Sequence, residues 1–414
     1  MREEGRLLVF PRAADAIELR HLRAFVAVAE ELNFGRAAAA LYVSQPALSR
    51  QIQALEELVG CQLLRRSTHR VELTLAGEAL LDRARRLLQD VDEAVTAAQA
   101  VGGELAERAA RLWAPIADIW GPEGNLEAAR AAYEELQASF SPPEGLSVRP
   151  ANANGVPAFL VKPPGDAAVS ILHLHGGGYT IGSAFGYQTL AGALATGAGA
   201  GVLVPEYRLA PEHPYPAAVD DGLAAYSWLI ERTPAGQVVL SGDSSGGGLV
   251  MTLLLRIREE GLPLPGGAAL LCPWVDLSLE TSARNADRDA AARQQFAQPR
   301  GCAAGYLGEH SAHDPRINAL DADLSGLPPL LIQVGTADLL TDDAQRLHDH
   351  ARAHGVDSRL ELYPVETHVF HIFWAFLPEA MDAVRQVGDF VRERSGPISD
   401  QGSARSPAQA PAAS

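Results

Sequence analysis

The sequence predicts an α/β fold, a mostly parallel sheet wrapped by helices, preceded by an all-helical N-terminal region. After about residue 150, short β-branched or aliphatic runs alternate with amphipathic helical stretches, as in parallel sheets with helical crossovers. Residues 17–100 instead carry helical periodicity almost throughout, and a chain of 414 residues is long enough for two domains. The predicted strands are Val169–His173, Gly201–Pro205, Gln237–Ser241, Ala268–Cys272, Pro329–Val334 and Leu360–Tyr363.

The composition is typical of a soluble globular protein. The chain is 47% hydrophobic and 21% charged, and it lacks an apolar run near the roughly 18 residues that a spanning helix needs. Its first residues show no apolar stretch of a secretion signal, so we expect a cytoplasmic protein with no membrane partner. Three cysteines at unrelated spacings (Cys61, Cys272 and Cys302) indicate neither a disulfide framework nor a zinc site. We expect no metal and no cofactor.

The net charge of −17 argues against broad affinity for nucleic acid, but the charge is unevenly distributed. Residues 1–100 hold 13 Arg and 14 Asp or Glu, so nearly all of the excess negative charge lies further along the chain. Within 36–70, five Arg stand against two Glu. A locally basic strip of this kind can face a phosphate backbone.

Short helices and a hairpin are predicted in the first 76 residues. Ser44 is in place to cap a helix that begins at Gln45 and ends at Gly60, with Pro46 in its first turn. The stretch Leu63–Thr74 is predicted to form a β-hairpin with Arg and His at its tip.

A long helix is predicted from Thr74 to about Val101. Its apolar residues form one stripe, which suggests pairing with another helix, and we expect a homodimer formed through it. The stripe consists of Leu80, Ala84, Leu87, Val91, Val95 and Ala98. Residues 102–150 are also mostly helical in pattern, and 396–414 have the composition of a disordered tail.

The motif with the clearest chemical meaning is G-x-S-x-G at 242–246, between an apolar run and a helical run. A tight strand-to-helix turn with small flanking residues lets the hydroxyl of Ser244 project outward as a nucleophile. The turn also places Ser244 at a helix N-terminus, where the dipole favours developing negative charge.

Three glycines follow His175 at the end of another predicted strand, in the sequence HGGGY. Glycines free the backbone to point N–H groups at a substrate oxygen, so Gly176 and Gly177, with the N–H of Ser245, are candidates for an oxyanion hole. The alternative is a plain glycine-rich turn or a phosphate loop, although the Lys-Ser/Thr of a phosphate loop is missing.

A serine nucleophile needs a base, and the base needs an acid that orients it. Asp338 and His368 follow Ser244 in the order acid then base, and each lies just past the end of a predicted strand. Asp342 and Asp343 are alternatives for the acid. The other interpretation of these two residues is that they are solvent-exposed carboxylates on the first turn of the next helix, with no catalytic role. His371 is the alternative base or a structural histidine.

The region from about 165 to 395 resembles the hormone-sensitive-lipase-like branch of the α/β hydrolases. The matching stretches are HGGGY at 175–179, EYRLAPEHPYPAAVDD at 206–221, GDSSGG at 242–247, TADLLTDD at 336–343 and H-x-F at 368–370. The resemblance implies an α/β-hydrolase fold and a serine esterase acting on short acyl esters or lactones without metal or cofactor. It also implies a helical cap built from the segment before the sheet and an insertion near 280–312.

Two positions depart from the pattern of that family. The family usually has Ala where this chain has Ser245, which leaves the backbone N–H intact. It usually has Pro after the acid, where this chain has Leu339. Four aromatic residues before the sheet are expected to line or support the cap, or to form its core: Trp113, Trp120, Tyr133 and Phe140.

Residues 18–76 resemble the winged helix-turn-helix of LysR-type transcriptional regulators. The resemblance is carried by the run from LRHLRAFVAVAEELNFGRAAAALYVSQPALSRQIQALEELVGCQLLRR through RVELTLAGEALL. It implies that the helix from Ser44 enters the major groove of double-stranded DNA, with a wing on the backbone or minor groove. The candidate DNA-binding residues are Ser44, Gln45, Pro46, Ser49, Arg50, Arg65, Arg66 and Arg70.

The resulting domain prediction is a winged helix-turn-helix at 17–76 and a linker helix at 77–101, followed by a cap segment at 102–150, a catalytic domain at 151–395 and a tail at 396–414. A LysR regulator normally continues into an effector-binding domain, and none is recognisable here. Three interpretations follow: an active esterase with a DNA-binding module, a regulator whose hydrolase-like domain senses a small ester or lactone, or an enzyme whose N-terminal region mainly dimerises. A complete nucleophile, base and acid favour the first.

Overall fold

The computed structural model forms two compact units, Met1–Glu104 and Leu105–Ser414. The structure describes residues 17–66, 71–119, 125–165, 167–279 and 290–394. Arg70, Trp120 and the tail 396–414 therefore lie outside the described residues. No helix in those described ranges is both long and apolar enough to cross a membrane.

Three helices and a small hairpin form the first unit, as the sequence predicts. In chain order they are α1 (Leu19–Glu31), α2 (Phe34–Ala40), α3 (Gln45–Val59), β1 (Leu64–Arg66) and β2 (Val71–Leu73), followed by α4 (Leu75–Ile119). The predicted cap of α3 is confirmed: the Ser44 hydroxyl accepts the Ala47 N–H at 3.4 Å, and Gly60 ends the helix in the left-handed region. The core of this unit lies between α1 and α3, where Phe25, Leu48 and Ile52 are fully buried.

The long helix α4 differs from its prediction in length, since it ends at Ile119 rather than near Val101. Its predicted apolar stripe is also divided between two environments. Ala84 is buried in the core of the first unit, whereas Leu87 is 51% exposed. The side chains of Val95 and Ala98 lie outside the described part of the chain.

The second unit is built around one eight-stranded sheet. Its strands are β3 (Ser147–Ala153), β4 (Val156–Lys162), β5 (Val169–Leu174), β6 (Gly201–Pro205), β7 (Val239–Asp243), β8 (Gly267–Leu271), β9 (Leu330–Gly335) and β10 (Ser358–Tyr363). Its helices, after the end of α4, are α5 (Leu126–Ala138), α6 (Gln188–Ala198), α7 (Ala217–Ile230), α8 (Ser245–Glu259), α9 (Ala290–Leu307), α10 (Thr341–Ala353) and α11 (Pro378–Arg394). The strand order is β10-β9-β8-β7-β5-β6-β4-β3.

The six strands from β5 to β10 are parallel, which confirms the predicted fold class. The sequence prediction missed β3 and β4, an antiparallel hairpin that pairs through β4 with β6. Asn154-Gly155 joins its two strands, a pair favoured in tight hairpin turns because both residues adopt positive φ here. β5, β7 and β8 are buried on both faces, and their carboxyl ends meet at one edge of the sheet.

Candidate active site

Ser244 occupies a sharp turn between β7 and α8. Its φ of 51° and ψ of −121° are strained for a residue with a side chain, and such strain is common at functional positions. The turn requires glycine on both sides. A Cβ on Gly242 would lie 2.4 Å from the Gly246 carbonyl oxygen, and one on Gly246 would lie 2.0 Å from the Leu174 oxygen.

The structure brings the candidate nucleophile, base and acid together. The Nε2 atom of His368 lies 2.9 Å from the Ser244 Oγ, and its Nδ1 atom lies 3.0 Å from both carboxylate oxygens of Asp338. Since the carboxylate accepts at Nδ1, the proton resides there and Nε2 is left to accept the Ser244 hydroxyl. This is the orientation in which a histidine can act as a general base toward a serine.

Electrostatics stabilise a positive charge on this imidazole. Burial acts to raise the pKa of Asp338, but the charge and hydrogen bond of His368 and the Leu340 N–H outweigh it and hold that pKa below its ordinary value. Burial acts to lower the pKa of His368, but the Asp338 charge and hydrogen bond outweigh this and raise it above its ordinary value. Asp338 is therefore an anion poised to stabilise the imidazolium.

The alternative acids and base have other environments. Asp342 is exposed on the first turn of α10. Asp343 accepts the Asp276 N–H at 3.1 Å, and burial raises its pKa to about 7. His371 is fully buried with Nε2 3.2 Å from the Gln333 Oε1, and burial lowers its pKa to about 3. A neutral histidine held against a buried amide fits a structural role.

The loop Gly176–Tyr179 contains the glycines predicted to form the oxyanion hole. The N–H of Gly176 donates to the Asp243 Oδ1 at 2.9 Å, so this N–H already has an acceptor, and its role in an oxyanion hole stays a prediction. Among the described residues, the N–H groups of Gly177 and Gly178 donate no hydrogen bond. Ser245 is the first residue of α8, so its N–H also lacks a carbonyl partner within the helix. The N–H of Gly178 is thus a further candidate donor.

Gly177 has a conformation that only glycine adopts easily. Its φ is +115°, and a Cβ there would lie 2.2 Å from the Ile181 carbonyl oxygen. Nothing in the sequence distinguishes among three consecutive glycines, because the deciding contact comes from Asp243, which is 67 residues away from Gly176.

Known protein families match both parts of the chain. A sequence family described as an alpha/beta hydrolase fold matches residues 171–372, and the lysR family of bacterial regulatory helix-turn-helix proteins matches residues 19–78. An acetyl-hydrolase of Streptomyces hygroscopicus is 38% identical over 277 residues, which cover 66% of this chain and 92% of the relative. An esterase of Acinetobacter venetianus is 32% identical over 266 residues, which cover 64% of this chain and 88% of the relative.

The solved structures agree. A crystal structure of an esterase from the bacterial hormone-sensitive lipase family superimposes with a TM-score of 0.62 at 37% identity, covering 70% of this chain and 98% of that one. This chain belongs to the hormone-sensitive-lipase-like α/β hydrolases. It is a carboxylic ester hydrolase that also carries a LysR-type helix-turn-helix region.

The sequence did not indicate that the thiol of Cys272 lies beside Asp338 and His368. This thiol is fully buried beside the Asp338 carboxylate and helps to lower the pKa of that carboxylate. The ligand atoms of Cys272, Asp338 and His368 lie within 4.8 Å of one another, close enough for a metal ion. However, burial raises the pKa of the Cys272 thiol well above its ordinary value, whereas a metal binds the thiolate. The thiol is therefore better suited to holding Asp338.

The candidate DNA-binding residues of the esterase lie on the exposed side of α3 and on the hairpin. Ser44, Gln45, Pro46 and Arg50 are exposed and Ser49 is half-buried. Leu48, Ile52 and Leu55 of the same helix are buried, so α3 presents one face to the core and the opposite one outward. Arg65 is exposed on β1, the side chain of Arg66 is not described, and Arg70 lies outside the described residues.

The sequence also did not indicate the exposed position of Tyr42, which lies two residues before Ser44. It directly precedes the turn into α3, it is 97% exposed, and its φ is 54°. A large side chain at that position is more exposed than its type would suggest, and no periodic pattern in the sequence marks it.

Proposed function

We propose that Ser244, His368 and Asp338 form a catalytic triad that hydrolyses short-chain carboxylic esters or lactones. The observation that carries the proposal is the continuous chain of hydrogen bonds from Ser244 Oγ through His368 to the buried Asp338, at 2.9 and 3.0 Å. The relative named acetyl-hydrolase supports a small acyl group, and the relative named esterase supports an ester substrate.

Catalysis would proceed by acyl transfer in two halves. The Ser244 oxygen attacks the ester carbonyl while its proton passes to His368 Nε2, and the carbonyl oxygen takes up negative charge facing the N–H groups of Gly177, Gly178 and Ser245. Collapse breaks the bond to the alcohol, which leaves with the proton from His368. Water then gives a proton to His368 and attacks the acyl carbon. The bond to the Ser244 oxygen breaks, that oxygen takes the proton back from His368, and the acid is released.

Fluorophosphonate labelling tests this assignment. Ser244 should displace fluoride and form one Ser–O–P bond per chain, with esterase activity lost in proportion to the label. Peptide mapping should place the label on Ser244, and Ser245, the adjacent serine, serves as the internal control. A label on another residue, or full activity in a labelled protein, would contradict the assignment.

Activity should depend on the protonation of His368. The base must be neutral, and its pKa is raised above the ordinary 6.5 because the charge and hydrogen bond of Asp338 outweigh the effect of burial. We therefore expect kcat/KM to fall as the pH drops, with an acid limb above pH 6.5. Circular dichroism at each pH would show whether the fold is intact. An acid limb at or below the ordinary histidine value would contradict this prediction.

We propose that the first unit binds double-stranded DNA through α3. The double variant Gln45→Ala with Arg50→Ala should weaken binding to a duplex enriched from a random pool by about 10–100-fold, because a good bidentate base contact contributes roughly 1–3 kcal/mol. Fluorescence anisotropy measures the effect. Arg149→Ala, which removes an exposed arginine on β3, is the matched control. Equal affinity in both variants would exclude α3 as the reading helix.

We also propose that α4 pairs two copies of the chain. Leu87 is 51% exposed although it belongs to an apolar stripe, so an aspartate there would place a charge in the pairing surface. We expect Leu87→Asp to halve the mass measured by light scattering. Gln89→Asp adds the same charge on the opposite side of the helix and should leave the mass unchanged. A dimer that survives Leu87→Asp uses another surface.

A further inference from the structure

The oxyanion loop consists of Gly176–Tyr179. Hydrogen bonds hold it on both sides of Gly177 and Gly178, whose own N–H groups are unpaired within the described part of the chain. Before them, the Gly176 N–H donates to Asp243 Oδ1 at 2.9 Å. After them, the Tyr179 N–H donates to the Ser245 Oγ at 3.1 Å. Because Gly177 and Gly178 have no such bonds of their own, the direction of their N–H groups depends on these two anchors.

The first anchor is part of a longer chain of buried hydrogen bonds. Asp243 is fully buried, and its second oxygen accepts the Tyr187 hydroxyl at 2.7 Å. The Tyr187 oxygen lies 2.6 Å from the Tyr133 hydroxyl. Since the single proton of Tyr187 is used toward Asp243, Tyr133 must be the donor to Tyr187. Burial, and then the Asp243 charge, raise the pKa of both tyrosines, so both keep their protons.

Tyr133 lies on helix α5, which precedes the whole sheet in sequence. It is 2% exposed and stacks on Trp113, with ring centroids 5.7 Å apart, so its position is well defined. One turn earlier on α5, the Nε of Arg130 donates to the Thr180 carbonyl at 2.8 Å, and its terminal nitrogens bind Glu212 at 2.8 Å. Helix α5 thus contacts Thr180 directly, next to the loop, and is linked to Asp243 through Tyr187.

We propose that Tyr133 and Tyr187 are positioning residues of the oxyanion hole, acting through Asp243. A buried carboxylate must be satisfied by donors. Without the Tyr187 hydroxyl, Asp243 would turn toward other donors, such as His173 Nε2, which lies 3.3 Å from its Oδ1. The Gly176 N–H bonds that same Oδ1, so Gly177 would shift with it. The proposal rests on the acyl-transfer function and assigns helix α5 a positioning role in it.

The test compares three single tyrosine-to-phenylalanine variants and one double variant in the full-length protein. Tyr187→Phe should lower kcat about tenfold and change KM by no more than about twofold. This loss of kcat is smaller than the roughly 10²–10³-fold loss seen when an oxyanion donor is removed completely, because the donors stay in place and only their direction changes. Tyr133→Phe should have a smaller effect, and none when added to Tyr187→Phe, because both act along one chain. Tyr226→Phe is the control, since its buried hydroxyl binds the Pro263 carbonyl instead.

Two further measurements separate positioning from simple destabilisation. The Ki of a trifluoromethyl ketone, whose Ser244 adduct places an oxyanion in the hole, should rise by the same factor as kcat falls. The acid limb of kcat/KM should stay close to that of the wild type, because the charge and hydrogen bond of Asp338, which do most to raise the pKa of His368, are untouched. Tyr226→Phe should lower the melting temperature without changing kcat or Ki.

Several outcomes would overturn the proposal. Unchanged kcat in both Tyr187→Phe and Tyr133→Phe would show that the chain does not position the loop. Additive losses in the double variant would mean that the two tyrosines act independently rather than along one chain. If Tyr187→Phe does not fold, the more distant Tyr133→Phe alone decides. Failure of fluorophosphonate to label Ser244 would remove the proposed function as well, whereas normal labelling with unchanged kcat would remove only this inference.

Discussion

Replacing Ser244 with alanine should lower kcat on a short-chain p-nitrophenyl ester by about 10⁴–10⁶-fold, the range known for triad serines. Without the Ser244 oxygen no acyl-enzyme forms, and only the oxyanion donors and substrate binding remain to assist water. The rate is measured by release of p-nitrophenol with the spontaneous rate subtracted. Ser227→Ala, a half-buried serine on α7, is the matched control and should keep the wild-type rate.

The absence of esterase activity in the wild type would point to a different role for Ser244. If the wild type and Ser244→Ala are equally inert across short and medium acyl chains, the geometry of Ser244 has another use. The hydrolase unit would then be better explained as a sensor that binds an ester or lactone and signals to the helix-turn-helix region. Retained esterase activity in Ser244→Ala alone would instead mean that another nucleophile is at work.

Replacing Asp338 with asparagine should lower kcat by about 10³–10⁴-fold while preserving the shape of the site. An amide can donate to His368 Nδ1, which would move the imidazole proton to Nε2 and leave no acceptor for the Ser244 hydroxyl. The buried position of Asp338 makes the effect severe, because the imidazolium would lose its only buried anionic partner at 3.0 Å among the described residues. Steady-state kinetics at a pH above the acid limb measure it.

Two neighbouring aspartates supply the controls for that variant. Asp342→Asn removes an exposed charge on the first turn of α10 and should leave kcat close to that of the wild type. Asp343→Asn changes a buried carboxyl whose pKa is raised to about 7, so it tests whether burial alone explains a loss. A loss in Asp342→Asn or Asp343→Asn as large as that in Asp338→Asn would reassign the acid.

Much of the fold follows from patterns that are local in sequence. The run Gly201–Pro205 forms a strand with the predicted bounds, and the strand before Ser244 is displaced by only two residues. Both are short aliphatic runs followed by glycine or proline, which strongly favours buried parallel strands. The hairpin β3–β4 was missed because its outer strand alternates weakly and includes Pro150, although Asn154-Gly155 carried the turn signal.

The sequence by itself determined the chemistry that depends on neighbours along the chain. Glycines on both sides of Ser244 permit a turn that other residues would obstruct, and the order of strand ends puts Asp338 and His368 after it. Ser44 in front of α3 capped a helix for the same local reason. Such features need only the steric and hydrogen-bonding preferences of a few consecutive residues.

The tertiary structure alone decided which backbone N–H groups of the glycine loop remain unpaired and able to bind a substrate oxygen. Gly176 and Gly178 are alike in sequence, yet the carboxylate of Asp243 occupies the N–H of the first and leaves that of the second unpaired. The link from Tyr133 through Tyr187 to Asp243 joins three elements more than 50 residues apart. A hydrogen bond depends on distances of about 3 Å in space, and no spacing along the chain encodes which distant residue will supply the partner.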